Sequence, residues 1–96
     1  MVTMQEQKFG VEIQLAGVPR RRIADAVAEG TGGRVTATHR SGYDATIVTD
    51  PEGREWKIMN DTSIAIINGH KGSEIVTPIL TYNDIELLQN VVRKVR

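Results

Sequence analysis

Glu12 and Gln14 are the first side chains in the sequence whose types and spacing could perform chemistry. They lie in the segment FGVEIQL, positions 9–15, in which apolar and other residues alternate. This alternation predicts a strand with one buried face and places both side chains on the opposite face. A carboxylate there is either simply solvated or turned toward a ligand or another chain segment. The apolar members are Phe9, Val11, Ile13 and Leu15.

The elements that follow this strand have clear start and stop signals. Pro19 suits a first helical turn, and the segment after it predicts a helix of about eleven residues that ends at the glycine cluster Gly30, Gly32 and Gly33. RVTATHR at 34–40 is typical of a short polar strand. The turn DPEG at 50–53 joins two strand-forming segments, so residues 44–60 predict a hairpin.

The second half of the chain predicts strands and then a helix. TSIAIIN at 62–68 is a possible short strand, and EIVTPILT at 74–81 is a strand that Pro78 must interrupt or confine to a sheet edge. Thr81 and Asp84 form a variant of the capping box. The apolar stripe that follows predicts a helix to the end of the chain; its members are Ile85, Leu88, Val92 and Val95.

Together these elements predict an α+β fold in the order β-α-β-β-β-(β)-β-α. We expect an antiparallel or mixed sheet of about five strands with both helices packed on one face. The other face then carries Glu12 and Gln14. Ninety-six residues suit a single domain spanning positions 1–96.

Composition excludes several classes of function. Twelve basic residues balance twelve acidic ones, which argues against a nucleic-acid or membrane partner. No cysteine is present, so disulfides and thiolate metal sites are excluded. No apolar run approaches the length of a membrane span, and the polar N-terminal segment lacks a signal-peptide core. We expect a cytoplasmic protein.

Three segments, in order and spacing, resemble the N-terminal part of the amidoligase family. FGVEIQL resembles the family pattern F-G-x-E-x-E, and the segment from Trp56 to Ser63 resembles W-x-x-x-x-D-x-S. The segment from Gly72 to Leu80 resembles G-x-E-x-V-[ST]-P-x-L. These proteins are carboxylate-amine ligases with a glutamine-synthetase-like fold, related to glutamate-cysteine ligase. The resemblance spans nearly the whole chain.

The resemblance implies an enzyme that uses ATP and Mg²⁺ to form an amide bond through an acyl phosphate. Its Mg²⁺ ligands are expected at Glu12 and Glu74, with Gln14 at a position where the family has a second glutamate. Asp61, Ser63 and Thr77 match residues expected to contact substrate or support the metal. The carboxylate and amine substrates are not indicated.

Several alternatives remain open at this stage. An amide oxygen at Gln14 is a weaker Mg²⁺ ligand than a carboxylate, and regular alternation would place Glu74 and Thr77 on opposite faces. The family continues beyond position 96 with histidine and arginine motifs, so we expect an incomplete ATP site and an inactive chain in isolation. We expect the N-terminal portion of a longer amidoligase domain that needs its C-terminal half or a homo-oligomer; a naturally shortened relative and a partner for a second chain are the alternatives. The competing hypothesis is a non-catalytic α+β interaction module.

Overall fold

In the computed structural model, which describes residues 8–39, 45–61 and 63–95, the chain forms seven strands and two helices. The strands are β1 (Lys8–Phe9), β2 (Glu12–Leu15), β3 (Arg34–His39), β4 (Ala45–Thr49), β5 (Glu55–Asn60), β6 (Ser73–Val76) and β7 (Leu80–Thr81). The helices are α1 (Arg20–Thr31) and α2 (Ile85–Val95), and a 3-10 turn at Tyr82–Asp84 leads into α2.

Five strands form an antiparallel sheet in the order β2-β6-β5-β4-β3, and β1 pairs separately with β7. The register places Ile13, Ile75 and Ile58 side by side on adjacent strands. All three belong to the apolar core or pack against it. Because side chains alternate along a strand, the residues between them lie on the other face. We call that other face the open face.

Both helices share this core with the sheet. Val27 of α1 and Val91 of α2 are fully buried together with Trp56 and Ile58. The helices approach closely at Gly30, where an added Cβ atom would lie 2.9 Å from the Cα atom of Val91. The predicted α+β architecture, with an antiparallel sheet and two helices on one side, is therefore confirmed. No helix in the described part of the chain is long and apolar enough to cross a membrane.

The helix boundaries follow the predicted signals. α1 begins directly after Pro19, and Gly32 ends it in the left-handed conformation, with φ of 76°. The capping box at Thr81 and Asp84 is present at the start of the C-terminal helical segment. The prediction differs at Gly30, which lies inside α1.

Two details of the predicted strands are wrong. The expected first strand is divided at Gly10 into β1 and β2. The strand opposite it is interrupted at Pro78, between β6 and β7, as predicted. The possible strand at 62–68 is not formed by its described residues, which make turns and a single bridge between Ile67 and His70.

A buried ion network fixes the start of β5 and the turn that precedes it. The carboxylate of Asp50, which is 4% exposed, accepts hydrogen bonds from the backbone N–H of Glu52 and from the side chains of Arg54 and Trp56. Arg54 also pairs with Asp84 at 3.0 Å. These contacts hold the pKa of Asp84 below its usual value, chiefly through its bond to Arg54. The network ties the β4–β5 hairpin to the start of α2.

A candidate acidic site on the open face

Glu12, Gln14 and Glu74 lie on the open face, on the adjacent antiparallel strands β2 and β6. Gln14 is directly opposite Glu74, and Glu12 is opposite Val76. Glu12 and Glu74 are therefore diagonal neighbours, with Cβ atoms roughly 7 Å apart. The structure brings the two glutamates predicted from separate motifs to one surface, within reach of each other's long side chains.

Asp61 joins this group from the end of β5. Its carboxylate oxygen Oδ2 accepts a hydrogen bond of 3.2 Å from the side-chain amide nitrogen of Gln14. Its backbone N–H donates to the carbonyl of Gly72, which precedes β6. We call Glu12, Gln14, Asp61 and Glu74 the acidic cluster.

The carboxylates of the acidic cluster interact electrostatically. The pKa of Glu74 is raised above its usual value, first by partial burial and then by the negative charges of Glu12 and Asp61. Like charges placed close together disfavour ionisation of each other. The cluster therefore has an excess of negative charge at neutral pH, and a cation bound there would relieve the repulsion.

Ser63 supports Asp61. Both the backbone N–H and the hydroxyl of Ser63 donate to Asp61 Oδ1, at 2.9 and 2.5 Å. These bonds favour the ionised form and lower the pKa of Asp61 below its usual value. Asp61 is thus held as a carboxylate in a fixed orientation, with one oxygen bonded to Ser63 and the other to Gln14.

Thr77 is placed differently from the other predicted residues. It is 8% exposed and follows β6 on the buried side of the alternation, so the structure does not bring it into the acidic cluster. Its hydroxyl accepts a hydrogen bond from the backbone N–H of Val11 and donates to the carbonyl of Pro78, at 3.0 and 2.9 Å. The Thr77 side chain thus links the segment after β6 to the backbone at Val11, between β1 and β2.

Comparison with protein families gives a match over almost the full chain. The family model described as "Putative amidoligase enzyme" matches residues 5–96. The chain belongs to the amidoligase family. This membership supports a ligase-like role. Comparisons with curated proteins and with solved structures gave no match.

The three amidoligase motifs of the sequence each contribute one carboxylate to the acidic cluster. Glu12 comes from the first motif, Asp61 from the second and Glu74 from the third. The structure joins them through the β2–β6 ladder and the Gln14–Asp61 hydrogen bond. Their roles in binding and catalysis remain predictions, as do those of Gln14, Ser63 and Thr77.

The donor set of this amidoligase chain is compatible with a hard cation but does not enclose one. Among the described residues, no three histidine, cysteine or acidic side chains are arranged closely enough to form a metal site. Mg²⁺ is usually bound through one or two carboxylates, substrate phosphates and water, so it does not need such an enclosed set. Two glutamates and an amide oxygen on rigid strands are suitable ligands.

Clefts of different sizes lie on both sides of the sheet, and one of about 350 Å³ is bordered by Lys57 and Val76 of the open face. Two clefts of about 440 and 480 Å³ adjoin α1, on the helical side of the sheet. Neither is lined by a member of the acidic cluster. A smaller cleft of about 140 Å³ is bordered by Asp61. The chemistry-bearing residues thus occur on an exposed sheet surface with a small cleft at its edge.

Proposed function

We propose that this chain supplies part of the active site of an ATP- and Mg²⁺-dependent ligase that forms an amide from a carboxylate and an amine. The observation that supports this proposal is the meeting of one carboxylate from each family motif on the open face, where partial burial and then the charges of Glu12 and Asp61 raise the pKa of Glu74. An arrangement that concentrates negative charge is costly unless it binds a cation.

Glu12 and Glu74 are the residues we assign to Mg²⁺, with the amide oxygen of Gln14 as an additional ligand. Their strands hold them on one surface, whereas ligands on a loop would be less fixed. Asp61, already oriented by Ser63, is assigned to the substrate amine. When bound, Mg²⁺ would neutralise the phosphate oxygens of the nucleotide.

The proposed reaction has two steps. The substrate carboxylate attacks the γ-phosphorus of ATP, and the bond from that phosphorus to the bridging oxygen breaks to give an acyl phosphate and ADP. The ammonium form of the amine first gives up one proton to water; its free nitrogen then attacks the acyl carbon, inorganic phosphate leaves and the nitrogen loses a second proton. The acidic cluster would attract the cationic amine, and a Mg²⁺ ion held by Glu12 and Glu74 would reduce repulsion between carboxylate and triphosphate.

Mg²⁺ titration followed by NMR of the side-chain carboxyl groups tests this assignment directly. We expect Glu12 and Glu74 to show the largest changes, and Glu12→Gln to weaken Mg²⁺ binding at least tenfold while the fold is retained. Glu55→Gln is the matched control, because Glu55 is an exposed strand glutamate at the other end of β5. Equal Mg²⁺ binding by wild type and Glu12→Gln would exclude the proposed metal site.

Catalysis is tested separately by coupling ADP release to a panel of carboxylates and amines, with the chain supplied together with any further segment its gene encodes. We expect ADP release to require both substrates and to be lost in Glu74→Gln. ADP release that is unchanged in Glu74→Gln would contradict the proposed role of the acidic cluster.

A further inference from the structure

A small cleft lies beside the acidic cluster, at the end of β5. Asn60, Asp61, Ile64, Ile66 and Lys71 line it, and its volume is about 140 Å³. Asp61 is shared with the acidic cluster, so a molecule in the cleft would be next to the proposed reaction centre. Asn60 is the last residue of β5, and Ile64, Ile66 and Lys71 come from the segment between β5 and β6. The sequence patterns do not single out these four residues as a site.

Backbone hydrogen bonds fix the residues that line the cleft. Asp61 and Gly72 are joined by a hydrogen bond of 2.8 Å, and the N–H of Ile64 donates to the carbonyl of Asp61. Ile64 lies directly against Gly72: a Cβ atom added at Gly72 would be 2.2 Å from the Cβ atom of Ile64. Gly72 therefore allows the isoleucine to remain at the edge of the cleft.

The lining has three kinds of chemistry. Ile64 and Ile66 provide aliphatic surface, and Ile66 is 67% exposed although it is a large apolar side chain. Asp61 provides a carboxylate whose Oδ1 accepts hydrogen bonds from the backbone N–H and the hydroxyl of Ser63. Lys71 supplies a positive charge and forms no salt bridge with another described residue.

These features match a ligand that carries an ammonium group, a carboxylate and a short aliphatic group. The ammonium group complements Asp61, the carboxylate complements Lys71, and the aliphatic group covers the isoleucines. A cavity of roughly 150 Å³ accommodates a benzene-sized group, so the cleft can take a short aliphatic side chain.

We infer that the amine substrate of this ligase is an aliphatic amino acid, bound in the cleft between Asp61 and Lys71. That this amino acid is a substrate rests on the proposed function, because its amino group would lie beside the acidic cluster. Binding itself requires neither Mg²⁺ nor nucleotide. Ile66 then determines which amino-acid side chain is accepted, and Lys71 is the reason that the ligand must carry a carboxylate.

Binding of four probes by NMR titration of the full chain, without Mg²⁺ or nucleotide, tests the inference. The probes are leucine, leucine amide, glycine and isobutylamine. We expect leucine to bind about tenfold more tightly than leucine amide, which lacks the carboxylate. We also expect leucine to bind more tightly than glycine, which lacks the aliphatic group. Equal affinities for leucine and glycine, or for leucine and its amide, would overturn the inference.

Two pairs of variants locate the binding site. Lys71→Met should reduce the affinity for leucine about tenfold and leave the affinity for isobutylamine unchanged. Ile66→Ala should weaken leucine binding about fivefold without affecting glycine. Lys8→Met and Ile79→Ala are the matched controls, since Lys8 is exposed in β1 and Ile79 is 64% exposed, and neither lines the cleft.

The outcomes separate this inference from the proposed function. Leucine binding with no response of Glu12 to Mg²⁺ would support the cleft and contradict the metal site. Mg²⁺ binding with no leucine binding, or leucine binding unaffected by both Lys71→Met and Ile66→Ala, would contradict the cleft alone. Thermal unfolding of each variant shows whether the fold is retained.

Discussion

Glu74 lies directly opposite Gln14 in the β2–β6 ladder, while the Gln14 amide nitrogen donates to Asp61. The amide at position 14 thus stands between carboxylates of the second and third motifs. A neutral residue there avoids one more negative charge facing Glu74, and it supplies a donor for Asp61. This relationship leads to the first two predictions.

Glu74→Gln should stabilise the chain at neutral pH in the absence of divalent cations. A raised folded-state pKa means that the native state binds a proton at Glu74 more readily than the unfolded chain, so the contribution of Glu74 to the stability of the wild type falls as pH rises through the carboxyl range. We expect the variant to unfold a few degrees higher at pH 7 and to match the wild type at pH 3. Thermal unfolding monitored across this pH range measures the effect.

A lower unfolding temperature for Glu74→Gln at pH 7 would contradict the repulsion described for the acidic cluster. Glu55→Gln serves as the control, because it removes an exposed strand carboxylate away from the cluster. Mg²⁺ should raise the unfolding temperature of the wild type more than that of Glu74→Gln. NaCl at equal ionic strength controls for screening.

Gln14→Glu should have opposite effects on stability and on Mg²⁺ affinity. The new carboxylate faces Glu74 and replaces the donor to Asp61, so without Mg²⁺ we expect a loss of about 1 kcal/mol in the free energy of unfolding. With three carboxylates able to approach the cation, Mg²⁺ affinity should increase about tenfold. Chemical denaturation and calorimetric titration measure the two quantities. An unchanged Mg²⁺ affinity would show that position 14 does not contact the cation. Gln89→Glu, on the exposed side of α2, is the control.

Thr77→Val should destabilise the chain by about 1 to 2 kcal/mol, because the backbone N–H of Val11 loses its hydrogen-bond acceptor in a partly buried position. Thr77→Ser is the matched control, since it retains the hydroxyl, and it should lose less than half as much. Denaturant unfolding distinguishes the two. If both variants bind Mg²⁺ and leucine as the wild type does, the role of Thr77 is structural; selective loss of ligand binding in Thr77→Val would assign it to the site.

Gly72→Ala should displace Ile64 and disturb the cleft, because the added methyl group would overlap the isoleucine side chain. We expect destabilisation of about 1 to 3 kcal/mol and loss of leucine binding. Gly10→Ala is the control, since no atom lies within 4 Å of a Cβ atom added there. Equal stability of the two variants would show that the segment between β5 and β6 rearranges around the added methyl group without loss of stability.

Several features of the fold follow from local sequence signals. Alternation predicts β2, Pro19 and Gly32 mark the ends of α1, and the turn after Asp50 predicts the β4–β5 hairpin. These signals are reliable because they arise from backbone conformation and from the period of side-chain burial, which neighbouring residues determine. The sequence by itself also indicated the family and the candidate residues Glu12 and Glu74.

Only the tertiary structure decided which of these residues meet. Strand order places β2 beside β6 and therefore Gln14 opposite Glu74, although 60 positions of sequence separate them, and no local pattern encodes that register. The same folding directs the Thr77 hydroxyl to the backbone of Val11. It also places Ile66 and Lys71 around a cleft beside Asp61. Pairing between distant strands depends on the packing of the whole core, and for this reason the sequence indicated candidate side chains without indicating their arrangement.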